Sequence, residues 1–265
     1  MKMKDKININ KKIKTPDILI EWNRQTQNNL DAIDQYTNLF ETFPTTNFNK
    51  IESFARHVRR QTLSKFLSRT EIFKQTLDVC GSVVELGVCS GQSLFTWAQL
   101  SAILEPLNYT RQIIGFDSFT GIPHISAVDQ GKKSSEHIRE GGFCFSEIDA
   151  LEEAINVYDN NRFINQIKKI ELVKGDICET LPKYIKENPH LVISLLHLDA
   201  DVYAPTKTAL EMVVPRMPKG SIIVFDELNQ VPYPGETQAL CDTLGISSLK
   251  LQRFTWEPGI CYAIL

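Results

Sequence analysis

The sequence predicts an α/β protein: a doubly wound, mostly parallel sheet preceded by an N-terminal helical cap. Three observations support this. Short apolar runs alternate with helical patterns from residue 79 onward, the first run closes in a glycine turn that opens a helix, and residues 16–78 carry helical periodicity without a strand-like run. At 265 residues the chain is long enough for one such domain with additions.

The opening MKMKDKININKKIK is rich in Lys, Asn and Ile and has neither a long apolar core nor a cleavage site. Residues 1–15 therefore read as a flexible, solvated tail and not as a secretory signal. In the cap, Leu30, Ile33, Tyr36, Leu39 and Phe40 fall on one helical face. After the FPTTN break a second set follows at Ile51, Phe54, Val58, Leu63, Phe66 and Leu67, and Arg56, His57, Arg59 and Arg60 form a basic cluster on that second helix. Such a cluster is ordinarily a solvated face; gripping an anionic substrate or a partner subunit is the other reading.

Residues 79–265 form the sheet domain. Val83–Leu86 is the apolar run of a central strand covered on both faces. It runs into E-x-G-x-x-x-G-x-S, with Glu85, Gly87, Gly91 and Ser93 at the named positions. Gly87 lets the chain leave the strand in a conformation denied to side chains, and Gly91 lets backbone approach a ligand. Ser90 or Ser93 is expected to cap the helix beginning near Gln92. The turn has neither the GxGxxG of a dinucleotide site nor the GxxxxGK of a phosphate loop. A carboxylate at the strand end, with no lysine to meet a phosphate, suits S-adenosylmethionine, which carries a sulfonium and an ammonium. A purely structural glycine turn is the competing reading.

Ile113–Phe116, Ile170–Val173, Val192–Leu198 and Ser221–Phe225 read as the next strands, with helices over Leu94–Leu104, Ile148–Val157 and Pro205–Val214. Leu249–Phe254 and Ile260–Ile264 read as an antiparallel pair at the far side of the sheet. Asp117, ending the second strand, is placed to hold a ribose diol, because one carboxylate accepts from both hydroxyls; capping the next turn is the alternative. Asp176, just past the third strand, is placed to meet an adenine amino group with Ile177 packed on the base, or is only a turn residue. Pro123–Gly142 is a polar segment with few apolar anchors and reads as a structureless lid or binding loop.

Strands four and five carry the sharpest chemical signal. They deliver Asp199, and Asp226 with Glu227, to neighbouring carboxyl ends. Carboxylates so close repel unless a cation sits among them, and a hard divalent ion, magnesium or calcium-like, matches an oxygen donor set. Asp201 either completes this site or caps the helix starting near Pro205. The plain alternative makes Asp199 a helix cap and puts Asp226 in a salt bridge. His197, between Leu196 and Leu198, reads as a satisfied core or interface residue.

In order and spacing, VVELGVCSGQSL, IIGFDSFTGIP, LHLDADVY and GSIIVFDELNQVPYPGETQA resemble the macrocin O-methyltransferase (TylF/MycF-like) family of class I S-adenosylmethionine-dependent methyltransferases, across roughly residues 80–240. The resemblance implies a Rossmann-like sheet of seven strands with an antiparallel final strand. It also implies S-adenosylmethionine and magnesium as cofactors, an acceptor hydroxyl on a sugar, glycosylated natural product or nucleotide sugar, and a homo-oligomer. Cofactor contacts are implied at Glu85, Gly87, Gly91, Ser93, Asp117, Ser118 and Asp176, and metal carboxylates at Asp199, Asp226 and Glu227. Many members have two aspartates where this chain has Asp226-Glu227. A general base is implied on the segment after the second strand, where His137 is the nearest candidate; it would take the proton while Asp199 acts through the cation it holds.

A net charge of −3 builds no field that favours nucleic acid or an anionic membrane. No run approaches the roughly 20 apolar residues of a membrane helix. The six cysteines are scattered without CxxC or zinc-like spacing, which points to a reduced, cytoplasmic setting. Two other functions are weighed. Asp199-Ala200-Asp201 is formally the DxD triplet of metal-dependent glycosyltransferases, which leaves the glycine turn and Asp117 without a role. A non-catalytic methyltransferase-like binding module would need none of the carboxylates.

Overall fold

The computed structural model describes residues 27–131 and 133–265, so the tail expected over residues 1–15 and the first part of the cap lie outside the described residues. The chain divides into two compact units, Met1–Ser64 and Lys65–Leu265.

In the first unit, helix α1 spans Gln27–Thr42 and α2 spans Asn47–Glu52. Thr46 starts α2 from extended backbone, its side chain accepting from the Asn49 N–H. The second helix, expected to run on from Ile51 through Leu67, is broken instead. The Ser53 hydroxyl donates to the Asn49 carbonyl, Phe54–Arg56 forms a 3-10 turn, and α3 begins only at Arg60 and ends at Lys74. Arg56, His57 and Arg59 therefore sit in a connection and do not share a helical face with Arg60. The His57 ring is buried edge-on against Phe40 and Phe43, at centroid distances of 5.7 and 5.9 Å. It belongs to a packed aromatic group, not to a solvated basic patch.

The second unit is built on a seven-stranded sheet of order β3-β2-β1-β4-β5-β7-β6. Strands β1 (Ser82–Leu86), β2 (Ile113–Asp117), β3 (Ile170–Lys174), β4 (Ile193–Leu198) and β5 (Ile222–Phe225) run parallel. β7 (Cys261–Ile264) returns antiparallel to β5, and β6, reduced to Gln252–Arg253, pairs with its outer side. Strand pleating sorts the core. Val83, Ile113, Leu195 and Val224 pack with Ile72, Phe73 and Trp97 on one face, whereas Val84, Leu86, Leu196, Leu198, Ile223 and Phe225 face the other. Each such fully buried aliphatic side chain contributes about 1.5–3 kcal/mol relative to exposure.

Helices α4 (Gln92–Leu104), α5 (Ile148–Asn160), α6 (Ile177–Glu187), α7 (Tyr203–Val213) and α8 (Pro234–Asp242) cover the sheet. The sequence patterns had marked α4, α5 and α7 only. α6 is obscured by Pro182 within it, and α8 is short and opens on Pro234, where a missing N–H costs nothing.

The segment Pro123–Gly142 is anchored, not structureless. Ser126 and Asp129 form a reciprocal capping box around a 3-10 turn, and Asp129 Oδ1 accepts from the Tyr203 N–H at the start of α7, 2.8 Å away. Ile122 and Ile138 pack there with Val202 and Tyr233. The first N–H of α7 is thus capped by Asp129, from a distant segment.

At the amino ends of the strands lies a second buried polar group. The Arg111 guanidinium donates to the carbonyls of Thr76, Val79 and Gly81 and to the Ser194 hydroxyl, and its Nε lies 2.7 Å from Glu105 Oε1. Nearby, Lys169 donates to the Asn108 carbonyl at 2.8 Å, and burial pulls its pKa down to about 8. No helix among the described residues is long and apolar enough to cross a membrane.

Candidate active site

Strand order reverses at β1, with β2 on one side and β4 on the other. In an open parallel sheet the loops there diverge and leave a crevice at the carboxyl ends. The crevice encloses about 730 Å³, counting space open to solvent, and Gly87, Asp117, Ser118, Asp176, Ile177 and Asp199 line it. That is the size of a small-molecule site.

Gly87 has φ +87°, and a Cβ there would lie 1.9 Å from the backbone carbonyl oxygen of Asp199. Glycine is required because the ends of β1 and β4 touch at this point. Asp117 Oδ2 accepts from the N–H groups of Val88 and Cys89 at 2.8 and 2.9 Å, and Oδ1 accepts from Phe119 at 2.7 Å. Its carboxylate thereby sets the shape of the glycine turn while lining the crevice. Asp176 is the N-cap of α6, accepting from Cys178 at 2.8 Å, and its other oxygen lies 3.7 Å from His124 Nε2. For both aspartates the turn-residue role and the crevice position coexist. The Ser118 hydroxyl donates to the Gly121 carbonyl.

Three expected cofactor contacts stand behind the crevice wall. Glu85 is fully buried, and its carboxylate accepts from Ser93 Oγ and Trp97 Nε1 and bonds His197 Nδ1 at 3.0 Å. Ser93 is spent on that bond. Gly91 is itself the N-cap residue of α4, in left-handed backbone, and neither Ser90 nor Ser93 supplies a side-chain cap. A Cβ on Gly91 would strike Leu151 Cδ2 at 2.8 Å, so α5 packing and backbone conformation demand the glycine. Glu85, Ser93 and Gly91 thus support the crevice wall, whose lining does not include them.

The acidic end of the crevice gathers His197, Asp199 and Asp226, each offering one ligand atom within 4.8 Å of the others. Glu227 lies outside that group. Its backbone N–H donates to Glu236 Oε1 on α8, on the opposite side of the sheet. Burial and the neighbouring acids push both Glu227 and Glu236 well above the usual carboxylate range. Asp226 takes the opposite course. Burial would raise it, but Lys65 Nζ at 2.9 Å and Arg69 at 3.8 Å hold it below its ordinary value. Asp199, without such a partner, is pushed up to about 7 by burial and by Asp226. Asp226 Oδ1 and His197 Nε2 are buried with no hydrogen-bond partner.

His137 does not line the crevice. Its ring packs 5.3 Å from that of Phe143, which does. Sequence reasoning missed Lys65, Arg69, Asp129 and His197. The first two left a trace: cations at i, i+4 among Phe66, Ile72 and Phe73 must either break an apolar face or find buried acid.

The model of the macrocin O-methyltransferase (TylF) family matches residues 54–239. The chain belongs to that family. Among solved structures, the family member resembles the calicheamicin methyltransferase CalS11, with 31% identity, a TM-score of 0.87, and coverage of 95% of this chain and 98% of that one. A second CalS11 structure, titled a TDP-rhamnose 3'-O-methyltransferase, matches at 31% identity and TM-score 0.78 over 91% and 95% of the two chains. The O-methyltransferase NovP, 19% identical with a TM-score of 0.58 over 76% and 79%, shares the fold. A curated relative from Streptomyces olivaceus, the 8-demethyl-8-(2,3-dimethoxy-alpha-L-rhamnosyl)-tetracenomycin-C 4'-O-methyltransferase, is 28% identical over 154 residues, 56% of this chain. The match spans about half of that relative, 53% of its length.

Proposed function

We propose that this protein transfers a methyl group from S-adenosylmethionine to a hydroxyl of a deoxysugar, carried on a nucleotide or on a glycosylated natural product, with a divalent cation at the acidic end of the crevice. The observation that carries the reading is a crevice of nucleoside size, with Asp117 and Asp176 along it, that opens directly onto Asp199. The sugar methyltransferases among the relatives support the acceptor class.

A divalent cation fits the donor set. Asp226 Oδ1 and His197 Nε2 are orphaned and buried, with Asp199 beside them. Asp199 and Asp226 would hold the ion, and when bound it supplies positive charge that lowers the pKa of an acceptor hydroxyl. The chain's own part is positioning. Ile177 and the Gly87 turn present flat apolar and backbone surface to an adenosyl group, Asp117 meets ribose hydroxyls, and Asp176 meets the adenine edge. The anchored Pro123–Gly142 segment closes the acceptor side and excludes water, which lets in-line geometry do most of the work. His137, on that segment and one ring behind the crevice-lining Phe143, is the base we assign to the acceptor proton. The six cysteines are free thiols, in keeping with a reducing cytoplasmic setting.

The test is incubation of the purified protein with S-adenosylmethionine, magnesium or manganese, and a panel of TDP-deoxysugars and rhamnosylated aglycones. Gain of one methyl by mass, with stoichiometric S-adenosylhomocysteine, is the expected result. Binding of a nucleoside diphosphate but not of S-adenosylhomocysteine would favour the glycosyltransferase reading instead.

A further inference from the structure

Strand pleating sorts the acidic end of the crevice in a way that bears on its cation. In register, Glu85 of β1 faces His197 of β4, and His197 faces Val224 of β5. Side chains two apart along a strand share a face. Asp199 therefore follows His197, and Asp226 follows Val224, onto the same side of the sheet, where α3 supplies Lys65 and Arg69. Glu227, one residue further and past the end of β5, gives its backbone N–H to Glu236 of α8 and is not part of that group.

We infer that His197 is a ligand of this cation, giving a site of one imidazole nitrogen and two carboxylates, and that Glu85 is the positioning residue that aims it. The tautomer follows from the partners. The Glu85 carboxylate can only accept, so His197 Nδ1 donates to it at 3.0 Å. In the neutral ring Nε2 then carries the lone pair and is the nitrogen left over for the group that His197 forms with Asp199 and Asp226. His197 is 0% exposed, and Nε2 has no hydrogen-bond partner, neither carboxylate included. A buried imidazole nitrogen left so is costly unless something occupies the lone pair. A structural histidinium bridging Glu85 to Asp199 would instead show an Nε2–H bond to carboxylate oxygen. Carboxylate, imidazole and ion in line is the arrangement by which proteins orient and strengthen histidine ligands. Trp97, donating to Glu85 at 2.9 Å and standing edge-on to the His197 ring at 5.6 Å, locks both in place. A nitrogen donor shifts preference from magnesium toward manganese, cobalt and zinc.

The inference rests on the divalent cation proposed above, and its test does not depend on turnover. Metal-free protein is loaded with Mn²⁺ and examined by electron spin-echo modulation, with Mn²⁺ and Mg²⁺ affinities from calorimetry. The wild type is expected to show coupling to a directly bound imidazole nitrogen and to bind Mn²⁺ about tenfold or more tightly than Mg²⁺. His197→Gln loses the coupling, Glu227→Gln keeps it, and Glu85→Gln weakens Mn²⁺ binding about 10–100-fold. Bound Mn²⁺ without nitrogen coupling in the wild type, loss of binding in Glu227→Gln, or no Mn²⁺ binding at all overturns it. The wild-type and Glu227→Gln measurements decide even where the His197 variant does not fold. Failure to methylate any sugar would overturn the acceptor assignment and leave the nitrogen coupling readable.

Discussion

The two ends of the parallel sheet treat buried charge in opposite ways. At the amino ends, Arg111 is surrounded by three carbonyls, a hydroxyl and Glu105, and Lys169 reaches the Asn108 carbonyl. At the carboxyl ends, His197, Asp226, Glu227 and Glu236 each keep a buried atom without a hydrogen bond, whereas Arg111 Nε at the amino ends, also without an aligned bond, still has the Glu105 carboxylate 2.7 Å away. Native proteins rarely leave such atoms unless strain or function requires it. The amino end closes its charges on protein groups, and the carboxyl end is where we propose the cation.

The comparison makes a strong demand at Arg111. Arg111→Met should cost about 3–5 kcal/mol in urea unfolding, because Glu105 loses its counter-charge and several backbone oxygens lose their donor. Methyl transfer per folded molecule should stay near wild type; a selective loss of turnover would break the division between the ends. Next comes Asp199→Asn, with turnover reduced about 10²–10³-fold. The melting temperature of its metal-free form should not fall, since the variant removes a carboxylate disfavoured by burial and by Asp226. A large drop in that melting temperature would show the acidic end to be structural after all.

A smaller effect sharpens the boundary. Gly87→Ala should destabilise by about 1–3 kcal/mol through its positive φ alone, and more if Asp199 cannot recede, with S-adenosylhomocysteine binding weakened in parallel. The smallest signal lies at the amino end. The Lys169 pKa, about 8 against an ordinary 10.5, means that the unfolded chain binds more protons between those values. Its contribution is therefore present above pH 10.5 and lost as pH falls through about 8. Unfolding free energy should rise across that window more steeply than in Lys169→Met, by up to about 1.4 kcal/mol per pH unit. Parallel profiles for the two proteins would remove Lys169 from the account.

Much of this was legible in the residues. Five parallel strands and the glycine turn announce themselves because a central strand must be apolar on both faces and because its exit needs positive φ. The acids at strand ends were visible for the same reason, as the only polar residues closing apolar runs. What stayed hidden depends on contacts distant in sequence. Glu85 reads as a ligand group until Trp97 and His197 are seen to consume it. Asp129 reads as one more loop acid until it caps α7 from 74 residues away. Glu227 lies past the end of β5, where the pleat no longer fixes which way a side chain points. Adjacency in the sequence obscured its separation from Asp226.

The two cations beside Asp226 differ in how far they can retreat. Arg69 has 1% of its side chain exposed and is sealed in the core, whereas Lys65 keeps 37% of its side chain in water. A partly hydrated ammonium on a flexible stem can swing outward without unpacking its surroundings, provided an incoming cation replaces the charge it withdraws. Any newcomer that wants Asp226 Oδ2 has only that understudy to dismiss, while the guanidinium goes on steadying the carboxylate from behind.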